Sequence, residues 1–132
     1  MIVVDAGPLK AAVDRDDEFH EWAVRAFTGP RARFVTCEAA ITEALHLVGN
    51  HPPAVIAIRR LCERMEVLPI APVRLAEVFD EVSKWAPRMD FADACAVVLA
   101  RGNRSAFVLT VDHSDFATYR VPFASPAGVF VA

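Results

Sequence analysis

Cysteine is scarce and unpatterned in this chain of 132 residues. Cys37, Cys62 and Cys95 are odd in number and widely spaced, and they include no Cys-x-x-Cys pair. That excludes a disulfide framework and a cysteine zinc site, and reads as reduced, mostly buried thiols of a cytoplasmic protein. Long hydrophobic runs are missing too. The longest, Ala94 to Ala100, falls far short of the roughly 18 residues a membrane span needs. Asp5 cuts short the apolar N-terminal stretch and no basic leader precedes it, so no signal peptide is legible. Nor is there an excess of positive charge: 14 Lys+Arg face 17 Asp+Glu, a net charge of −3. Such a balance argues against a basic patch that grips nucleic acid by charge alone. Internal repeats, low-complexity tracts and linkers are absent.

What is present is a core. Hydrophobic residues make up 55% of the chain and charged ones 23%, which excludes disorder, and the length suits a single domain over residues 1–132. Met1 to Val4 is a short apolar run rich in β-branched residues and reads as a buried strand, followed by a turn at Gly7-Pro8. Leu9 to Phe27 carries apolar residues at helical spacing, broken at Asp14 to Glu18, and reads as two short helices closed by Gly29-Pro30. Phe34 to Thr36 predicts a second strand, and Ala39 to Val48 a helix stopped by Gly49-Asn50 and Pro52-Pro53. Further along come a helix at Ala54 to Arg64, a strand at Val67 to Ile70 and an amphipathic helix at Arg74 to Ala86. An Ala/Val-rich helix at Phe91 to Arg101, a strand at Phe107 to Thr110 and a fifth strand at Val121 to Phe123 complete the series. Alternating strands and helices imply an α/β fold, a central parallel sheet of four to five strands with helices on both faces.

In an open parallel sheet, ligands bind at the carboxyl ends of the strands, which makes the acidic residues there informative. Asp5 ends the first strand and Asp112 follows the fourth, with Asp115 three residues on. Taken singly, Asp5 reads equally well as a turn residue, and Asp112 as a turn or N-cap side chain. Glu43 lies in a helix whose only polar residues are Thr42, Glu43 and His46. That is either a narrow solvent stripe or a carboxylate held under cover, which needs a partner. Asp90 and Asp93 open a helix at capping-box spacing; capping explains Asp90, whereas Asp93 heads a helix that packs closely on the sheet. Four carboxylates in one pocket would repel one another, and hard Mg²⁺ or Mn²⁺ would relieve the repulsion while leaving room for a phosphate. His20, His46, His51 and His113 are scattered and form no competing metal set; only His113, beside Asp112, is close to the acids in sequence.

The opening Val-Val-Asp-Ala-Gly-Pro-Leu, the Thr42-Glu43 pair, Met-Asp-Phe-Ala-Asp-Ala and Leu-Thr-Val-Asp-His-Ser-Asp-Phe together resemble the PIN-domain family. Within it they are most similar to VapC-type toxin ribonucleases of bacterial type II toxin–antitoxin systems. The match runs in order along nearly the whole chain. The resemblance implies an α/β/α sandwich and Mg²⁺- or Mn²⁺-dependent endonucleolytic cleavage of RNA by metal-activated water. It also implies homodimerisation and inhibition by a cognate VapB-type antitoxin. It carries the family's acidic quartet onto Asp5, Glu43, Asp93 and Asp112 as catalytic and metal-binding residues. Thr110 matches the hydroxyl residue before the last acid, which orients a ligand or water. Asp90 and Asp115 match acidic positions common in similar sequences. Cys95 departs mildly, standing where small polar residues are more usual.

Two other functions compete. A receiver-type phosphoacceptor domain shares the length, fold class and acidic pocket. It would carry an acidic pair after the first strand, an acceptor Asp after the third and a Lys near the last, whereas Pro69-Ile70-Ala71 ends the third strand and Lys10 and Lys84 are the only lysines. A non-catalytic binding module on the same fold is the other, and the clustered carboxylates argue against it because unneutralised charge is costly.

Overall fold

The computed structural model describes residues 1–29 and 32–131. Five parallel strands and one antiparallel strand form a single sheet in the order β3-β2-β1-β4-β5-β6. These are β1 (Ile2–Val4), β2 (Phe34–Cys37), β3 (Glu66–Leu68), β4 (Phe107–Leu109), β5 (Phe123–Ser125) and β6 (Gly128–Phe130). Seven helices join them: α1 (Ala6–Val13), α2 (His20–Thr28), α3 (Glu38–Leu47), α4 (Pro52–Cys62), α5 (Ile70–Lys84), α6 (Phe91–Arg101) and α7 (His113–Tyr119).

Side chains alternate across a strand, and β1 shows what that does to the core. Val3 belongs to one apolar cluster, with residues of α5, α6 and α7, and Val4 to the other, with residues of α1 and α4. Helix α3 serves both, Ala40 packing in the first cluster and Ala44 in the second. The result is the expected α/β/α sandwich. Helix α6 lies deepest: Ala92 to Ala100 are all buried, and its small side chains let it approach the sheet. Cys37 and Cys95 are buried free thiols in the first cluster and Cys62 is half-buried, in keeping with the cysteine pattern. No helix among the described residues is long and apolar enough to cross a membrane.

Several boundaries differ from the sequence reading, for reasons of backbone chemistry. Gly7-Pro8 is not a turn: α1 starts at Ala6, directly after β1, and Pro8 sits at its third position. A helix start leaves its first N–H groups without intrahelical partners, so a residue lacking one is tolerated there. Pro72 occupies the same place in α5, which begins at Ile70 and bends at Arg74 (φ −128°, ψ 37°), so Ile70 belongs to a helix and not to β3. Pro52 and Pro53 open α4 rather than merely ending α3. The chain turns between those helices at Gly49 and Asn50, both in the left-handed region at φ 61° and 52°. Of the expected Gly29-Pro30 stop, Gly29 caps α2 and Pro30 lies outside the described residues. The fifth strand runs from Phe123 to Ser125 and turns back into β6, an antiparallel addition to the expected parallel sheet. Helix α7 fills a stretch for which the sequence suggested only a cap or turn.

Candidate active site

The chain builds β1, β2 and β3 outward to one side of the sheet, then returns to lay β4 against the other side of β1. The carboxyl ends of β1 and β4 therefore flank the point where strand order reverses, the place where open α/β sheets form a ligand crevice. Asp5 follows β1. The parallel register pairs Val4 with Leu109, which sets Asp5 beside Thr110. Asp5 is the N-cap residue of α1, yet its side chain accepts no capping hydrogen bond across the first turn. The third helical position is Pro8, which has no N–H to offer. Its carboxylate accepts instead from the Thr110 hydroxyl, with Oγ1 to Oδ2 at 2.8 Å, and both residues are buried. The same hydroxyl accepts the Asp112 backbone N–H at 3.0 Å, which fixes the direction of its own proton toward Asp5. Gly7 is needed for this arrangement: a Cβ there would lie 2.4 Å from Cγ2 of Val111, the residue between Thr110 and Asp112.

Asp93 enters from α6, 9% exposed, and its Oδ2 accepts a hydrogen bond from the Tyr119 hydroxyl at 3.1 Å. Asp90 is the α6 N-cap, its Oδ1 accepting the Asp93 N–H at 2.8 Å. Asp112 caps α7 in the same way, accepting the Asp115 N–H at 3.1 Å. Both of these caps are exposed. Asp115 is half-buried beside Arg88, whose Nη1 lies 3.5 Å from Oδ1. Glu43 is half-buried on α3, two residues from Ile41 and from Leu45. Those two line an apolar groove of about 480 Å³ against α4, so Glu43 projects from the opposite side of its helix. That groove contains none of the acids named above.

The electrostatics show that these acids feel one another. Burial, partly offset by the Thr110 hydroxyl, pushes Asp5 up to about 6, with the charges of Asp90 and Asp112 adding to the rise. Glu43 is pushed to about 7 by burial and then by Asp90, Asp5 and Asp112. Asp93 reaches about 8 through burial and then through Asp5 and Asp90. Asp115 is raised by burial and by Asp112. Burial and the neighbouring Asp93 drive the Tyr119 phenol well above its ordinary value, so it stays protonated. Asp5, Glu43, Asp90, Asp93 and Asp112 thus form one mutually repelling group, with Asp115 at its Asp112 side. Carboxylates so raised are short of positive charge, and an all-oxygen donor set suits a hard divalent cation. Among the described residues, no three His, Cys, Asp or Glu side chains already close on a metal-sized point. A cation here would be held by one or two carboxylates and completed by water.

The sequence reading missed Tyr119. Its signal was present, because the Asp112, Asp115, Phe116 and Tyr119 pattern spells a short capped helix with an apolar side. His113 does not join the acids: its ring packs against Phe123 and Phe130, with centroids at 5.3 and 4.5 Å.

The family model described as "PIN domain" matches residues 2–121. No curated protein sequence matches the chain. Among solved structures, VapC20 of Mycobacterium tuberculosis, described as a toxin that cleaves the sarcin–ricin loop, superposes with a TM-score of 0.77. It is 20% identical, and the match covers 89% of this chain and 95% of that one. At that identity the likeness speaks to the fold alone. With a family model spanning nearly its whole length, this chain belongs to the PIN domain family.

Proposed function

We propose that this PIN domain is a Mg²⁺- or Mn²⁺-dependent endoribonuclease that acts as the toxin of a toxin–antitoxin pair. The observation that carries the reading is the group of carboxylates at the β1/β4 switch point, three of them pushed to between about 6 and 8 by burial and by each other. Such a group is costly to keep unless something divalent neutralises it.

Asp5 and Asp93 are the primary cation ligands in this reading. Glu43 and Asp112 complete the shell or hold the attacking water. When bound, the cation supplies a Lewis acid for the phosphate and lowers the pKa of water. The chain's own residues supply the rest. Thr110 holds Asp5 in one orientation and ties it to the backbone that carries Asp112. Asp90 fixes the start of α6, and so the place of Asp93, while Asp112 itself caps α7 by accepting the Asp115 backbone N–H. Scattered arginines, Arg88 among them, meet the RNA backbone.

The relevant partners are an RNA substrate, a VapB-type antitoxin and a second copy of the chain. Because the structural relative acts on the sarcin–ricin loop, ribosomal RNA is the first substrate to test. Purified protein should cleave RNA with Mg²⁺ or Mn²⁺ and stop in EDTA, and Asp5→Ala and Asp93→Ala should each abolish cleavage. Full cleavage by either variant overturns the assignment of the site. Growth arrest on expression, relieved by Asp5→Ala and by the product of an adjacent small reading frame, tests the toxin role separately.

A further inference from the structure

Tyr119 is the only tyrosine in the chain, it is wholly buried, and its hydroxyl meets a single side chain, Asp93. Its surroundings hold it from three directions. Trp85 and Phe116 pack on the ring, with centroids at 5.8 and 5.3 Å. Arg101 Nη2 donates to its backbone carbonyl at 2.9 Å. Arg101 is itself paired with Glu81, and Glu81 also accepts the Trp85 indole N–H at 2.9 Å. Helix α7 stops directly after it, at Arg120 in the left-handed region with φ 59°.

A phenol serving only to fill space needs no hydroxyl; phenylalanine, already used nine times in this chain, would do. The hydroxyl here bridges two helices that each carry a proposed cation ligand, Asp93 on α6 and Asp112 at the start of α7. On the Asp93 carboxylate it occupies Oδ2, while Oδ1 accepts no hydrogen bond among the described residues. We infer that Tyr119 is a positioning residue that sets the Asp93 carboxylate for a divalent cation, tying Oδ2 and leaving Oδ1 to coordinate, and thereby holds α6 and α7 at a fixed spacing across the site. The inference rests on the reading of these acids as a cation site. Groups that orient metal ligands in this way are worth about 10–100-fold in affinity.

Calorimetric titration with Mn²⁺ tests it. Tyr119→Phe removes one oxygen and nothing else. It should weaken Mn²⁺ binding about 10–100-fold and lower kcat while leaving KM for RNA within about twofold, with far-UV circular dichroism unchanged. Mn²⁺ affinity equal to that of the unmodified protein overturns the role of Tyr119 and leaves the cation site standing. No Mn²⁺ binding by the unmodified protein overturns both. A second measurement keeps the Tyr119 hydroxyl in place. Because the chain has one tyrosine, 3-fluorotyrosine labelling places a single fluorine beside Asp93. Its ¹⁹F resonance should move on titration with Mg²⁺, and should cease to move in Asp93→Asn. A resonance that stays still while calorimetry records Mg²⁺ binding rejects the inference, even if Tyr119→Phe fails to fold.

Discussion

Two sets of carboxylates sit within one site and live in different physical worlds. The inner pair, Asp5 and Asp93, is buried, and each accepts a hydrogen bond from a buried hydroxyl, that of Thr110 or Tyr119. The rim pair, Asp90 and Asp112, is exposed, and each accepts a backbone N–H at the start of a helix. Glu43 lies between, half-buried and with no hydrogen-bond partner among the described residues. The difference teaches that one residue type can serve opposite ends. Rim carboxylates stabilise the fold by capping. Inner ones oppose it, because burial and mutual repulsion penalise their charge, and a protein keeps such groups where function needs them.

The contrast breaks most visibly at Asp5. Asp5→Asn should eliminate RNA cleavage and, in EDTA near pH 8, raise stability by up to about 3 kcal/mol, the value of lifting a buried carboxyl from 3.8 to about 6. Thermal or urea unfolding measures the second effect, and destabilisation would remove the inner pair's claim to be functional.

The pH dependence of the metal-free protein has a definite sign. Asp5, Glu43 and Asp93 all have folded values raised above their ordinary ones, to about 6, 7 and 8. The folded state therefore holds more protons than the unfolded chain over this window. Their stabilising contribution is complete below about pH 4 and is lost as pH climbs through 6 to 8. Unfolding in EDTA at pH 5.5 and pH 8 should show the loss. Added Mn²⁺ should reverse it at pH 8, since cation binding requires the deprotonated acids.

The smallest effect belongs to the rim. Asp90→Ala should cost about 1 kcal/mol through loss of the α6 cap, an effect read by unfolding at about pH 5, where Asp5, Glu43 and Asp93 are largely protonated and its charge has little to repel.

Much of the scaffold was legible because it rests on local rules. Apolar runs of β-branched residues, helical spacing and Gly/Pro punctuation located five of the strands and six of the helices, with edges shifted where Pro8, Pro52 and Pro72 lie in the first turns of helices. Asp90 read as a cap from its spacing to Asp93, and the backbone bears that out. Helix α7 escaped because it is a single short piece, 7 residues long, whose cap spacing and two apolar residues, Phe116 and Tyr119, also fit a turn. Strand β6 escaped because all its residues are exposed, so no buried pattern marks it.

The sequence by itself determined which acids could matter: it put Asp5 at the end of a strand, Asp112 just after another and Asp93 at the head of an alanine-rich helix, all through short-range patterns. Only the tertiary structure decided which of them are buried, which hydroxyl each one meets and how far each is pushed from its ordinary acidity. Those properties depend on residues distant in the chain, 105 positions apart for Asp5 and Thr110 and 26 for Asp93 and Tyr119, and on how much water the packed helices exclude. A net charge of −3 belongs to the composition; the repulsion stored at one end of the sheet belongs to the fold.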